Sequence, residues 1–215
     1  MGCPAKSAVK SGGSALIRDP KLAGEAIAAA KTAGLPVSVK TRLGYTSIDE
    51  WRQWLTFLLE QDIVALTVHL RTKKEMSKVD AHWELMKEIR ELRDEIAPNT
   101  LLIGNGDVRD RAHGLELIAE SGIDGVMIGR GVFHDPWAFE HTPATHTTEE
   151  RFALLHAQLD LYDQYSHLTK RPFDTLKRFF KIYVRDFADA AELRDKLMHT
   201  KSTDEVRAIL AILKP

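Results

Sequence analysis

The chain has one cysteine in 215 residues, Cys3. A single thiol excludes an internal disulfide framework and suits a reducing cytosol, so a cytoplasmic location is expected. Long apolar runs are missing too. No stretch approaches the roughly 18 residues of a membrane-spanning helix, and the N-terminus lacks the short apolar core of a signal peptide. An excess of either charge is also missing: 30 Lys and Arg stand against 31 Asp and Glu. Global charge therefore selects no partner, and neither a membrane nor a metal is expected. There is no low-complexity tract and no repeat beyond an alternation of strands and helices.

What is present is ordinary for a soluble globular protein, 44% hydrophobic and 28% charged. The length fits one domain, or one and a half. Residues 21–33 are Ala-rich and stop at Gly34, a helix with a glycine cap. Residues 36–40 are short, β-branched and bounded by Gly34-Leu35-Pro36 and Gly44, a buried strand. Residues 48–61 carry Ile48, Trp51, Leu55, Leu58 and Leu59 at helical spacing. Strands follow at 63–69, 101–104 and 124–128, and helices at 82–95 and 110–121. Alternating strands and helices imply a parallel sheet with right-handed crossovers. Polar residues collect at the strands' C-terminal ends, the edge where such sheets bind ligands: Lys40, His69, Asn105 and Gly129.

From about residue 141 the pattern changes. Residues 141–148 read as a polar linker. Residues 149–215 show no strand signal and read as helices at 148–167, 172–188, 190–199 and 203–213, the last preceded by a capping run, Ser202-Thr203-Asp204-Glu205.

Several groups carry chemistry. Cys3 sits in Gly2-Cys3-Pro4; a lone cysteine is commonly an inert small residue, and reactivity requires an environment that tunes its pKa. Lys40 ends a strand, either as a surfacing charge or as a cation aimed at a bound ring or phosphate, and Arg42 points the same way if the strand continues. His69, with Arg71 two residues on, is either a structural histidine or a donor to a ligand oxygen. Asn105-Gly106-Asp107 is a favoured hairpin turn, but the next segment is helical, so a ligand loop is the better reading. Gly129-Arg130-Gly131 suits an anion: glycines free the backbone, a following helix offers its positive end, and Arg130 adds a fork. Segment 168–185 holds Lys170, Arg171, Lys177, Arg178, Lys181 and Arg185 against Asp174 alone, interleaved with Phe173, Phe179, Phe180 and Tyr183. It is either a solvated amphipathic face or a phosphate-contacting surface.

Together these residues resemble the tRNA-dihydrouridine synthases. The stretch GCPAKSAVKSGGSALIRDP is similar to that family's active-site loop, although the asparagine that the family places two residues before the cysteine is here Met1. VSVKTRLGY, LTVHLRT, IGNGDV and VMIGRGVFHDPWAF resemble later family motifs in order, and KRFFKIYVRDF and AAELRDKLMHT resemble its C-terminal helical domain. The resemblance covers essentially all 215 residues. It implies an FMN-dependent, NADPH-using reduction of tRNA uridines to 5,6-dihydrouridine, on a target base extruded from its stack. Cys3 would protonate C5. Lys40 and His69 would contact the flavin, and Asn105, Gly106, Asp107, Gly129 and Arg130 its ribityl chain and phosphate. Arg42, Lys170, Arg171, Lys177, Arg178, Lys181 and Arg185 would meet RNA.

The expected architecture is α/β: residues 1–140 as the C-terminal half of a TIM (β/α)8 barrel with four parallel strands, then a small all-α tRNA-binding domain over 149–215. A complete barrel takes ~250 residues by itself. The chain is therefore expected to be a truncated product, a mis-assigned start or a fragment, with activity impaired and self-association through open half-barrel edges. The alternatives are an inactive fragment that only binds RNA, and a phosphate-binding barrel enzyme without flavin.

Overall fold

The computed structural model describes residues 1–6, 8–10 and 12–212. Ser7 and Ser11 of the cysteine loop, and the expected helix end at Leu213, lie outside the described residues. Two compact units are present. The first comprises Met1–Val132 and Trp137–His141; the second comprises Phe133–Pro136 and Thr142–Pro215.

The first unit is one parallel sheet of β1 (Ser38–Arg42), β2 (Ala65–His69), β3 (Leu101–Asn105) and β4 (Gly125–Met127), in sequential order. Helices α1 (Pro20–Lys31), α2 (Trp51–Leu59), α3 (Met86–Ile96) and α4 (Arg111–Ser121) alternate with the strands. This is the α/β arrangement of a partial TIM barrel. The expected first strand, 36–40, lies two residues later. Pro36 has no N–H to give a ladder, and inter-strand bonding starts with Val64 N–H donating to Val37 O at 3.0 Å.

Alternation separates the two faces of the sheet. Val39, Thr41, Leu66, Val68 and Leu102 are buried and share a core with Leu55, Leu58, Met86 and Ile89 of the helices. Trp54 puts its indole N–H on Thr41 Oγ1 at 2.8 Å, so neither polar atom in that core is orphaned. On the opposite face Lys40 is exposed and Leu101 is 52% exposed.

The caps explain where the helices begin and end. Asp19 accepts from Leu22 N–H at 3.0 Å ahead of Pro20, and Asp110 from His113 N–H at 2.8 Å. Gly122, at φ 72°, terminates α4. Ser47 and Glu50 form a capping box that leads a 3-10 turn, Ile48–Glu50, into α2.

The second unit is helical: α5 (Thr148–Thr169), α6 (Asp174–Lys177), α7 (Phe180–Tyr183), α8 (Ala190–Met198) and α9 (Thr203–Ile212). Its core joins Leu155, Leu159, Leu176, Phe180, Leu193, Leu197, Val206 and Leu210. The single helix expected over 172–188 is instead two four-residue helices. Phe180, Ile182 and Val184 are all buried, and a spacing of two cannot stay on one face of a continuous helix. Two 3-10 segments that periodicity did not indicate, Ala8–Lys10 and Gly13–Arg18, follow the cysteine.

Candidate active site

Strand register assembles the site. Arg42 pairs with His69, His69 with Asn105, and Asn105 with Met127, forming one row at the C-terminal edge of the sheet. Lys40 lies two residues back on the same face as Arg42.

Asn105 is the hub of this row. Its Oδ1 accepts from Lys40 Nζ at 2.9 Å and meets His69 Nδ1 at 2.8 Å, while its Nδ2 donates to Met127 O at 2.7 Å. Lys40 can only donate, so the Asn105 atom facing it is the oxygen. His69 Nδ1 must then carry the proton, which leaves Nε2 as the acceptor. Nε2 lies 3.4 Å from an Arg71 NH1 donor. Burial, followed by the charge of Arg42, pushes His69 down to about 4, so the ring is neutral at pH 7. Both ring nitrogens are thus engaged within the protein, and donation from Nδ1 to a ligand requires release of Asn105. Burial and then Arg42 also lower the Lys40 ammonium below its ordinary value.

The Gly106-Asp107 loop packs closely against Ala81 and Trp83. Gly106 has φ 126°, and a Cβ there would sit 2.8 Å from Ala81 Cβ. Gly106 O accepts from Trp83 Nε1 at 2.8 Å. Asp107 bonds Arg71 NH2, accepts from Arg130 NH2 at 2.9 Å and takes Ala81 N–H at 3.0 Å. Partial burial works against its charge, but the Ala81 N–H and the Arg71 guanidinium outweigh it and hold the carboxyl below the usual range.

Arg71, which the sequence reading passed over as a neighbour of His69, is 2% exposed and also donates from Nε to Val79 O at 2.7 Å. It joins the β2 strand end, its own loop and the Asp107 loop. Spacing from His69 was its only signal. Arg18 and Lys73 were also missed. Their charges lie 4.1 and 4.9 Å from the centre of the Tyr45 ring, beside the β1 end.

Gly129 has nothing within 4 Å of where a Cβ would stand. The protein itself does not need a glycine there, so the open space is available to a bound group. Arg130 beside it keeps 57% of its side chain exposed. The helix expected after this loop is only a 3-10 turn, Arg130–Phe133, too short to supply a helix terminus.

Cys3 is exposed. Its carbonyl accepts from Ser14 N–H at 3.0 Å, which closes the loop on itself. Arg42, expected to meet RNA, is 6% exposed. It donates from Nε to Gly2 O at 3.0 Å and from NH1 to Thr72 O and Met76 O at 3.0 and 3.2 Å. It therefore moors the Gly2–Cys3 segment beside the β1 end and presents little charge to solvent.

The six basic residues of segment 168–185 divide into two sets. Lys177 pairs with Asp174 at 2.7 Å with only 15% of its side chain exposed, and lies over Phe173. Arg185 is bonded to Asp186 at 2.7 Å and His134 O at 2.5 Å. Lys170, Arg171, Arg178 and Lys181 are exposed.

The family described as Dihydrouridine synthase (Dus) matches residues 1–214. The chain is 59% identical over 211 residues to a protein of Bacillus subtilis (strain 168) called Probable tRNA-dihydrouridine synthase 2, covering 98% of this chain and 65% of that protein. It is 59% identical to a Probable tRNA-dihydrouridine synthase of Staphylococcus aureus (strain Mu50), covering 98% of this chain and 64% of that protein. A Staphylococcus epidermidis protein of the same name is 58% identical, with 98% and 65% covered. The chain thus spans less than two thirds of the length of these relatives. A match running from the cysteine loop through the row at the sheet edge to the helical unit leads to one conclusion: the chain belongs to the dihydrouridine synthase family.

Proposed function

We propose that this protein takes part in reducing uridines of tRNA to 5,6-dihydrouridine, with FMN as cofactor and NADPH as reductant. The observation that carries the reading is the row at the sheet edge, Lys40, His69 and Asn105 with the Asp107–Arg130 pair, in a chain matched along its length to relatives named for this reaction. Lys40 and His69 would face the isoalloxazine ring. Asn105, Gly106, Asp107, Gly129 and Arg130 would hold the ribityl chain and phosphate, the open space at Gly129 being where a phosphate can approach the backbone. FMN, when bound, supplies the hydride chemistry.

The chain's own residues do the rest. Lys40 keeps donors beyond the one given to Asn105 and stabilises negative charge in the site. Cys3, held beside Arg42 through Gly2, delivers a proton to C5 of the extruded uracil. Lys170, Arg171, Arg178 and Lys181 of the helical unit neutralise tRNA phosphates.

The test uses the protein as its own cells make it, tagged at the chromosomal C-terminus and purified. A flavin absorbance and dihydrouridine formed in an unmodified tRNA transcript, read by mass spectrometry, are expected. Cys3→Ala keeps the flavin and loses the product. A preparation without flavin that leaves every uridine intact overturns the reading.

A further inference from the structure

The helical unit carries a cavity of about 480 Å³ between α5 and the segment that follows it. Its walls include Tyr162 and Tyr165 from α5, and Arg171, Arg178 and Phe179 from the following segment, with Gln158 among the lining residues. We propose that this cavity is a nucleotide pocket that takes one unstacked base of a bound RNA together with its phosphate. The inference rests on the reading that the helical unit contacts RNA, and it names a site within that contact that is separate from the row at the sheet edge.

Three observations converge. The walls offer aromatic faces: Tyr165 is 46% exposed, and Phe179 lies with the Arg178 guanidinium 4.8 Å from its ring centre. Such faces stack any base regardless of sequence. Two arginines, Arg171 and Arg178, form no salt bridge among the described residues and are exposed at the cavity. An arginine fork is suited to phosphate. Third, Gln158 Oε1 is sealed from solvent and accepts no hydrogen bond. A buried acceptor left without a partner is costly, and Gln158 is one of the residues that line the cavity. There a base imino or amino N–H is the partner it lacks.

The walls are built before any ligand arrives. Tyr162 OH donates to Arg171 O at 2.8 Å, and its ring meets Phe173 edge-on at 6.2 Å. Lys170 turns the chain out of α5 in a left-handed conformation, φ 51°. Charge complementarity selects RNA over an apolar occupant.

The experiment measures binding of an oligouridylate octamer and of an unmodified tRNA transcript to the whole protein, by fluorescence anisotropy across a salt series. Tyr165→Ala is expected to weaken binding about tenfold or more with an unchanged salt slope. Arg178→Gln lowers the octamer's salt slope by about 0.7. Gln158→Met weakens RNA binding while leaving the melting temperature the same or higher, a result that separates ligand contact from damage to the fold. Octamer binding untouched by Tyr165→Ala and Gln158→Met overturns the pocket, whatever Arg178→Gln does, because phosphate contact alone would then account for affinity. If flavin and dihydrouridine are absent but Tyr165→Ala still weakens octamer binding, the pocket is supported and the enzymatic reading fails. Normal dihydrouridine formation alongside unaffected octamer binding sinks the pocket alone.

Discussion

The smallest unit of the site is a chain of hydrogen bonds, from Lys40 through Asn105 and His69 to Arg71, and on through Asp107 to Arg130. Arg71→Met cuts it in the middle. The loss is expected to cost about 1–3 kcal/mol, as Asp107 keeps Arg130 and the Ala81 N–H. The His69 pKa is expected to rise from about 4 toward its ordinary value, because burial and several cations including Arg71 depress it. Ring-resonance NMR titration reads this directly, and an unmoved titration contradicts the link. The neutral ring also has a stability consequence. Between about 4 and 6.5 the unfolded His69 is protonated and the folded one is not. Unfolding therefore takes up a proton, and stability falls as pH drops through that window. Asp107, with its folded pKa lowered against the effect of burial, loses its contribution only as pH falls further, below its unfolded value of 3.8. Urea melts from pH 7 to 4 are expected to show a slope that His69→Gln reduces. His69 and Asn105 were legible in the sequence because they end strands, and Lys40 because it lies near the end of β1, two residues before Arg42. The role of Arg71 was not, since it depends on a loop in which Asp107 adopts φ 54°.

At the scale of elements, a β-branched run bracketed by glycine and proline indicated the first strand, and its alternation with segments of helical spacing indicated the other three and the helices between them. Boundaries moved where a cap decided them, as with the 3-10 turn that Ser47 and Glu50 place ahead of α2. In the helical unit, 172–188 departs from the single expected helix. Composition there indicated one amphipathic helix, while the packing of Phe180, Ile182 and Val184 broke it. The basic face changed with it, because Lys177 and Arg185 are held by neighbours within the unit. The loop after β4 is also fixed by contact. A Cβ on Gly131 would lie 2.0 Å from Arg109 O, a backbone atom with no flexible end to yield. Gly131→Ala is expected to destabilise the first unit by about 1–3 kcal/mol, seen as a lower denaturation midpoint. An unchanged midpoint would mean that the loops separate freely.

At the scale of the whole first unit, α1 to α4 cover one face of the sheet, and among the described residues β1 and β4 each have a strand neighbour on one side only. The exposed Lys40 and Leu101 lie on the other face. Alternation of strands and helices was enough to read this sheet from the sequence, because each crossover buries an apolar helix stripe against it. Which surfaces the sheet would leave open was a matter of counting strands. Open edges offer unpaired N–H and C=O groups to another chain. The 215-residue polypeptide, produced by itself, is expected to self-associate with rising concentration. Light scattering across a dilution series measures this, and a constant mass of 24.2 kDa would count against it.

The clamp on Asn105 also bears on how the protein ages. Asn105 precedes Gly106, the dipeptide in which a backbone nitrogen most readily attacks the side-chain amide, closing a succinimide and expelling ammonia. In the folded chain that amide is held at both ends, by Lys40 and His69 on the oxygen and by Met127 O on the nitrogen. Conversion to aspartate would replace the donor facing Met127 O with a carboxylate oxygen. Peptide mapping after long incubation is expected to find Asn105 intact in native buffer and deamidated in urea, so the fold that builds the site also sets its shelf life.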